Sequence, residues 1–386
     1  MIVYKILDWL VSEPDRNEVY KLVHMFIYNY KKYSSPLQLL QVLINYWSEP
    51  AHGNVSKAEQ EMICSKKRTS VTFFLSGWFE VQYSDFKDTT LELLESFVRE
   101  IPSEYSKPLV AKIQNVIKSK PAPSIYLFEA SKEGKAKFEP GTFGFLDLKA
   151  IQVADQWTIL DIKNFLQIDR DEYLRIQSDS NWDRMLKRAA VFSRWVASEI
   201  VQNVKTSKRV ETIKRFVLIA MHFLENNNMN GLMCVWGGLN TISVLRLKKT
   251  KKRLPSQILD LWAVLEEKLS EKNNFGRLRK VTKKKMLSGE PVVPWFELVN
   301  KARNSSAEYD DYISTSTDPK IINFSKVYIL GEQILNFEKY KKNLEKVDLF
   351  YESNNKTDQN IRTYLEHLPT YPDDVLWKMS SICEPD

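Results

Sequence analysis

The residues that could perform bond chemistry are few and widely scattered in this 386-residue sequence. The four histidines include no H-x-x-x-H or other close ligand pair; they are His24, His52, His222 and His367. The three cysteines show no zinc spacing; they are Cys64, Cys234 and Cys383. Because a bond-making enzyme needs a nucleophile, an acid-base pair or a metal set, we predict neither such a centre nor a bound metal ion.

A nucleotide-binding loop is also missing from the sequence. Neither G-x-x-x-x-G-K-[ST] nor G-x-G-x-x-G occurs, so the backbone cradle that holds a phosphate is absent. Gly237 and Gly238 are adjacent, but no lysine follows at the required spacing, and close helix packing or a helix terminus is the favoured use. We therefore predict that the protein binds no cofactor.

Length and composition indicate a globular protein with two domains. At 386 residues the chain exceeds the size at which one hydrophobic core stops growing, and 43% of its residues are hydrophobic. No run of eighteen apolar residues occurs, and the first twenty residues alternate charged and apolar types, unlike a signal peptide. An odd number of distant cysteines suits a reducing compartment. Together these features predict a cytoplasmic location.

The positive charge is concentrated in three runs, although the net charge is only +7. The runs are RLKKTKKRL (246–254), KVTKKKM (280–286) and KYKKNLEK (339–346). Such runs are compatible with a solvated face, with an anionic membrane or acidic protein partner, or with nucleic acid. No recognisable nucleic-acid module is present, so we predict no nucleic-acid partner. Recruitment to the inner face of a membrane stays open.

Apolar periodicity predicts a mostly helical protein. Glycine is scarce, with 11 residues, and spacings of three and four dominate. One example is a stripe that should face a core, formed by Val210, Ile213, Val217, Ala220 and Leu224. From 116 to 145 this period is lost among prolines and glycines. We therefore predict a helical domain over 1–115, a connecting segment over 116–145 and a second domain over 146–386.

Four asparagines interrupt apolar helix in ENNNMNGLM, residues 225–233. Asparagine side chains hydrogen-bond to nearby backbone groups, which weakens helix interiors and favours caps and turns. The pattern predicts that one helix ends near Leu224 and that another begins after Asn228 or Asn230. An asparagine oxygen should then accept a hydrogen bond from the first free amides of the second helix.

Long blocks around these asparagines resemble the catalytic exchange domain of Ras-family guanine nucleotide exchange factors. In order and spacing the similar blocks are VFSRWVASEI (191–200), RVETIKRFVLIAMHFLENNNMNGLM (209–233) and GLNTISVLRLKKT (238–250). INFSK (322–326) is identical to the family's usual stretch. Upstream, FIYNYKKYSSPLQLLQVLINYW (26–47) resembles the accompanying Ras exchanger motif. The resemblance covers most of the chain apart from the connecting segment.

The resemblance implies an all-α fold in which an N-terminal Ras-exchanger-motif domain packs on a larger exchange domain with a protruding helical hairpin. It also implies a regulator that makes no bonds and needs no cofactor. Such proteins bind a Ras-like small GTPase, of Ras or Rap type, and wedge the hairpin into its nucleotide site. GDP then leaves and GTP enters.

The resemblance places eight residues at or beside the GTPase surface: Arg194, Trp195, Arg209, Asn227, Asn228, Asn230, Arg246 and Lys248. For Trp195 a position in the core is an equal alternative, and the asparagines could serve only as caps. Arg209 and Lys248 are favoured as contacts, because long cationic side chains are rarely buried unpaired.

The hairpin is where the sequence departs from the family pattern. Family members usually continue with G-x-Y-L-x-D-L and reach an acidic E-E-G-N near the tip, whereas this chain has NSSAEYDDY at 304–312. Glu308 falls where one tip carboxylate would stand, and we expect it to disturb the magnesium and phosphate site. Asn304 is the next candidate. The departure leaves open a non-catalytic scaffold that only binds a GTPase.

Overall fold

The computed structural model describes residues 2–12, 16–51, 56–119, 144–174, 179–313, 321–353 and 359–385. Most of the predicted connecting segment, residues 120–143, lies outside these ranges. Contacts divide the chain into two compact units, the first comprising Met1–Tyr126 with Ser306–Leu335 and the second Leu127–Ser305 with Asn336–Asp386. The domain limits at 115 and 145 stay a prediction.

The N-terminal part of the first unit is helical. Its helices are α1 (Ile2–Ser12), α2 (Arg16–Asn29), α3 (Pro36–Ser48), α4 (Lys57–Gln82), α5 (Asp88–Glu100) and α6 (Ser103–Ser119). Helix α3 begins with a proline behind a capping box, in which Ser35 and Gln38 satisfy each other's backbone amides. The apolar faces meet in one core, where Leu40, Phe74 and Trp78 are buried.

Helices also build the remainder of the described chain. They are α7 (Ala150–Gln167), α8 (Arg170–Leu174), α9 (Asn181–Val201), α10 (Thr206–Glu225), α11 (Met229–Leu239), α12 (Ile242–Leu245), α13 (Lys248–Lys251), α14 (Ser256–Lys268), α15 (Lys272–Leu287), α16 (Phe296–Ala307), α17 (Phe324–Ser353), α18 (Gln359–Glu366) and α19 (Asp373–Cys383). Two short strands, β1 (Tyr312–Ile313) and β2 (Ile321–Ile322), lie between α16 and α17. The predicted helical fold class is confirmed.

Helix α10 forms the centre of the second unit's core. Ile213, Val217 and Ala220 of the predicted stripe are buried, and the two outer members of the stripe pack against the same core. Burial of this stripe stabilises the helix by removing apolar surface from water, at about 25 cal/mol per Å². The helix therefore fixes the positions of both of its ends, where candidate site residues lie.

Helix α15 opens with a strained turn. Asn273, Asn274 and Phe275 all have positive φ angles, between 52° and 57°. Asparagine tolerates this left-handed conformation, whereas phenylalanine adopts it rarely. The Phe275 ring packs against Trp295, with 4.8 Å between the ring centroids. This contact holds the start of α15 against the segment that precedes α16.

Helices α16 and α17 form a hairpin. In the second unit, Phe165 of α7 stacks on Phe296 of α16 and packs against Phe337 of α17, with centroid distances of 5.7 and 5.2 Å. In the first unit, the Gln333 amide donates to the Ser306 hydroxyl at 2.6 Å. The strand pair beyond α16 is antiparallel and was not expected from the sequence. Its tyrosine and isoleucines are residue types that favour extended backbone.

Candidate partner-binding site

The asparagine corner, residues 225–233, joins three parts of the second unit. Helix α10 ends at Glu225, α11 begins at Met229, and the Asn228 side-chain oxygen accepts from the Gly231 amide at 2.8 Å. The predicted capped corner is therefore confirmed. Asn227 adopts a left-handed conformation, with φ at 55°. Its carbonyl accepts from the Val293 amide at 3.0 Å, so the corner also holds the segment that leads into α16.

A buried carboxylate binds this corner from α7. One Asp161 oxygen accepts from the side-chain amide of Asn228 at 2.9 Å and from that of Asn230 at 3.2 Å. Burial raises the pKa of Asp161 to about 6, although the two amide hydrogen bonds act in the opposite direction. Because Asn228 and Asn230 are buried, they stabilise a joint inside the unit. Of the two roles considered for Asn228 and Asn230, their burial favours capping of the corner over contact with a partner.

Trp195 is also a core residue. It is fully buried, and its ring packs edge-on against Phe145 and Phe216 at centroid distances of 5.1 and 5.2 Å. Its indole N–H donates to Glu199 at 3.1 Å, which satisfies the only polar group of the side chain. Of the two roles considered for Trp195, the structure favours the core.

Arg209 is fully buried and paired, contrary to the expectation that it is a surface contact. Its guanidinium donates to the Thr250 hydroxyl at 2.9 Å and to the Val204 carbonyl at 2.6 Å, and lies 3.3 Å from a Glu384 oxygen. Burial alone would raise the pKa of Glu384, but hydrogen bonds from Thr250, the Lys249 amide and Arg209 leave that pKa lowered. Arg209 therefore connects α10 to α13 and to the residue that follows α19.

Three other predicted cations reach the surface. The Arg194 Nε lies 3.5 Å from a carboxylate oxygen of Asp373. The Arg246 guanidinium stacks over the Trp377 ring at 5.2 Å and donates to the Ser380 hydroxyl at 3.4 Å. Lys248 is exposed at the start of α13. These residues remain candidates for direct contact with a partner, as does the partly exposed Asn227.

Helices α12 and α19 together expose apolar side chains beside these cations. The exposed fractions are 71% for Ile242, 46% for Leu245 and 47% for Trp377. We call these three residues and Arg246 the α12–α19 surface. Tryptophan and arginine dominate the binding energy of many protein interfaces, and exposed apolar side chains in a cluster mark interaction sites.

Sequence reasoning missed Trp377 as a site residue. The available signal was its place on a short amphipathic helix, where Leu376 and Ser380 form the buried stripe and Trp377 lies to one side of it. No sequence pattern could show that α12 lies beside it, because the contact joins residues more than 130 positions apart.

The hairpin turn carries both predicted catalytic residues. Asn304 is exposed in the last turn of α16, and Glu308 is exposed directly after that helix ends. Among the described residues, none forms a hydrogen bond or ion pair with the Glu308 carboxylate. A carboxylate without an internal partner is available to an external one.

Side chains from α2 and the turn after it contact the hairpin within the first unit. Asn29 donates to the Val327 carbonyl at 3.4 Å, and Lys21 lies 3.9 Å from Glu332. Tyr33 packs edge-on against Tyr312 of β1, with 5.8 Å between ring centroids. The N-terminal residues therefore help to hold the segment that follows Glu308.

The described parts of the chain lack two further kinds of feature. There, no cluster of three or more histidine, cysteine, aspartate or glutamate side chains is arranged to hold a metal ion. None of the helices in those parts has both the length and the apolar character that crossing a bilayer would require.

The helical fold thus presents one partly apolar face, the α12–α19 surface. Comparison with known proteins gives the family. The chain matches the RasGEF domain over residues 152–341 and the RasGEF N-terminal motif over residues 3–98. It belongs to the family of Ras guanine nucleotide exchange factors.

Two relatives in this family are similar along nearly the whole chain, and a third along about half of it. Ras guanine nucleotide exchange factor R of Dictyostelium discoideum is 24% identical over 97% of this chain and 21% of its own length. Factor S of the same organism is 26% identical over 95% of this chain and 36% of its own length. Human Rap guanine nucleotide exchange factor 6 is 28% identical over 49% of this chain and 12% of its own length. The chain thus spans about a third or less of these relatives.

Proposed function

We propose that this protein is a guanine nucleotide exchange factor for a Ras-like small GTPase of Ras or Rap type. Family membership supports the class, and one observation carries the mechanism: an exposed carboxylate, Glu308, stands unpaired among the described residues at the turn of a helical hairpin. The hairpin enters the nucleotide site of the GTPase, and GDP leaves. No covalent bond is made or broken.

The GTPase binds to the α12–α19 surface and to two neighbouring cations, Arg194 and Lys248. Trp377 and Ile242 supply apolar area, and the exposed cations select an acidic face on the partner. Acceleration of release by five decades corresponds to a barrier reduction of about 7 kcal/mol. Such a reduction calls for a large interface, above roughly 2,000 Å² in total, presented on rigid helices.

Glu308 acts electrostatically at the nucleotide site. Its carboxylate approaches the magnesium ion and phosphates, where like charge destabilises the bound nucleotide. Exchanger and nucleotide then weaken each other's binding to the GTPase by the same factor, as thermodynamic linkage requires. Asn304, in the turn of α16 before Glu308, contacts the same region of the partner.

The test is release of fluorescently labelled GDP from a panel of purified Ras-type and Rap-type GTPases. Addition of the protein should accelerate release from at least one member, and the member preferred assigns the type. Binding without acceleration would replace exchange by the scaffold function, which the altered hairpin sequence leaves open. Glu308→Ala should reduce acceleration while leaving complex formation intact, and Glu80→Ala, a carboxylate on α4, serves as the control.

Charge distribution supports a second element, recruitment to an anionic membrane surface. Residues 246–290 contain fourteen lysines and arginines against five acidic residues, a net charge of +9 that exceeds the +7 of the whole chain. On α15, Arg279, Lys280 and Lys283 are exposed and form no ion pair with any described residue. Lipid-anchored GTPases lie at such surfaces, so this face would bring the exchanger to its substrate.

Vesicle binding tests this recruitment. The protein should bind vesicles that contain anionic lipid and not neutral ones. Because each surface lysine contributes about 1 kcal/mol, reversal of Lys280, Lys283 and Lys284 to glutamate should lower partitioning at least about 100-fold. The matched control reverses three exposed lysines elsewhere, Lys57, Lys66 and Lys107. Equal loss in both variants would assign binding to net charge rather than to α15.

A further inference from the structure

We propose that Asn323 and Lys326 are positioning residues that fix the backbone on both sides of Glu308 and leave its carboxylate free for the partner. This inference rests on the proposed exchange function and concerns the residues that fix the backbone of the hairpin turn. Asn323 directly precedes α17, and Lys326 lies in the first turn of that helix. Both residues lie close to the hairpin turn in space, although fifteen or more positions separate them from Glu308.

Lys326 is almost completely buried, and its ammonium group lies at the centre of the turn. It donates to the carbonyl of Ala307 at 3.5 Å and also to the carbonyl of Tyr309. These are the residues immediately before and after Glu308. A single charged group therefore holds the peptide on either side of the proposed catalytic carboxylate.

Asn323 completes the arrangement with three hydrogen bonds. Its side-chain amide donates to the Asp310 carbonyl at 2.9 Å, and its backbone amide donates to the Asp311 carbonyl at 2.9 Å. Its side-chain oxygen accepts from the Lys326 amide at 3.3 Å and so caps α17. Four carbonyls between residues 307 and 311 are thus bound by two side chains and one amide of the α17 start.

Asp311 balances the charge of Lys326. One of its oxygens lies 2.9 Å from the Lys326 ammonium and 3.7 Å from that of Lys32. The hydrogen bond from Lys326 is the main reason that the pKa of Asp311 is lowered. Because Asp311 neutralises the charge of Lys326, the ammonium group can donate to the carbonyls beside Glu308 without pairing with the Glu308 carboxylate.

Hydrogen exchange tests the positioning directly, without any GTPase. Lys326→Met should raise the deuterium uptake of the peptide covering 304–313, because the carbonyl clamps are lost and the turn opens more often. Uptake across α9 to α11 should be unchanged. Lys339→Met, an exposed lysine on the same helix, is the matched control. Unchanged uptake in 304–313 for Lys326→Met would overturn the inference.

A double-mutant cycle tests whether the effect passes through Glu308. Lys326→Met should slow stimulated GDP release about 10-fold or more, with the loss in kcat rather than in KM, and Lys326→Arg should recover part of it. In a Glu308→Ala background the further loss should be within about two-fold, because residues acting as one unit are not additive. Asp311→Asn, which leaves Lys326 free to pair with Glu308, should reproduce the defect in a milder form.

Each outcome of the cycle has one meaning. A wild-type protein that stimulates no GTPase removes the proposed function itself. A stimulating protein whose Glu308→Ala variant retains the full rate keeps the exchange function but overturns both the proposed role of Glu308 and this inference, since the carboxylate that Lys326 positions then does not contribute to release. Additive losses for Lys326→Met and Glu308→Ala also overturn it, because they show that Lys326 acts elsewhere.

Discussion

The asparagine corner and the hairpin turn use the same parts in opposite surroundings. In each, an asparagine caps a helix beside an aspartate that other side chains bind. Asp161 accepts two amide hydrogen bonds in the corner, and Asp311 forms an ion pair with Lys326 in the turn. Burial raises the pKa of Asp161, whereas a lysine partner lowers that of Asp311. In the corner, the polar side chains form hydrogen bonds with one another. In the turn, the Glu308 carboxylate has no partner among the described residues and is available to another protein. The first arrangement should govern stability and the second should govern exchange.

The largest expected effect is loss of stability from the corner. Asp161→Ala removes the acceptor of the buried Asn230 amide and one of the two acceptors of the buried Asn228 amide, which also donates to Thr158, and it creates a cavity beside α11. Unsatisfied buried polar groups cost about 1 to 3 kcal/mol each, so thermal or urea unfolding should show a loss of roughly 3 kcal/mol or more. Glu308→Ala should unfold like the wild type. Equal unfolding free energies for the two variants would contradict the claim that the corner, and not the turn, governs stability.

Arg209 and Lys248, the two cations favoured as contacts by the sequence, extend the comparison to a buried and an exposed side chain. Arg209→Met leaves Glu384 without its buried counter-charge, and loss of one partner of a buried pair costs about 3 kcal/mol or more. Lys248→Glu should leave the unfolding midpoint within about 1 °C, because Lys248 is exposed and surface substitutions are nearly neutral. It should, however, slow stimulated GDP release. A stable Arg209→Met variant with impaired release would reinstate Arg209 as a partner contact.

These residues also show how far the sequence could lead. The helix ends at the asparagines follow from local hydrogen bonding. The core stripe of α10 and the helical fold class follow from the spacing of apolar residues. Both signals lie in residues that are close in the sequence. The burial of Arg209 depends on Glu384, 175 positions away, and no local pattern carries that information. Trp377 and Arg246 meet for the same long-range reason. Lys326 could be matched to the family's I-N-F-S-K stretch, but its hydrogen bonds to Ala307 and Tyr309 join residues 19 and 17 positions apart, which no local pattern shows.

The α12–α19 surface gives an intermediate effect that falls on binding. Trp377→Ala removes an exposed aromatic ring that stacks on Arg246, and hot-spot truncation costs about 2 kcal/mol in affinity. We therefore expect the KM for the GTPase to rise roughly 30-fold, with the unfolding midpoint nearly unchanged. Trp9→Ala, an exposed tryptophan of α1, is the control. An unchanged KM would show that the GTPase binds a different face.

The smallest expected effect is a pH dependence that only the corner should show. The pKa of Asp161 rises from its ordinary 3.8 to about 6 in the folded protein, so the folded state binds this proton more tightly than the unfolded state does. The resulting stabilisation is complete below pH 3.8 and is lost as pH rises through about 6. Between pH 5 and pH 7 the wild type should lose about 1 kcal/mol of unfolding free energy relative to Asp161→Asn, whose side chain does not titrate.

Asp311, with its lowered pKa, contributes the opposite sign and only at more acidic pH, so Asp311→Asn should leave the slope between pH 5 and pH 7 unchanged. Parallel stability curves for the wild type and Asp161→Asn across this window would mean that Asp161 is already ionised in the folded corner, with the amides of Asn228 and Asn230 compensating for its burial.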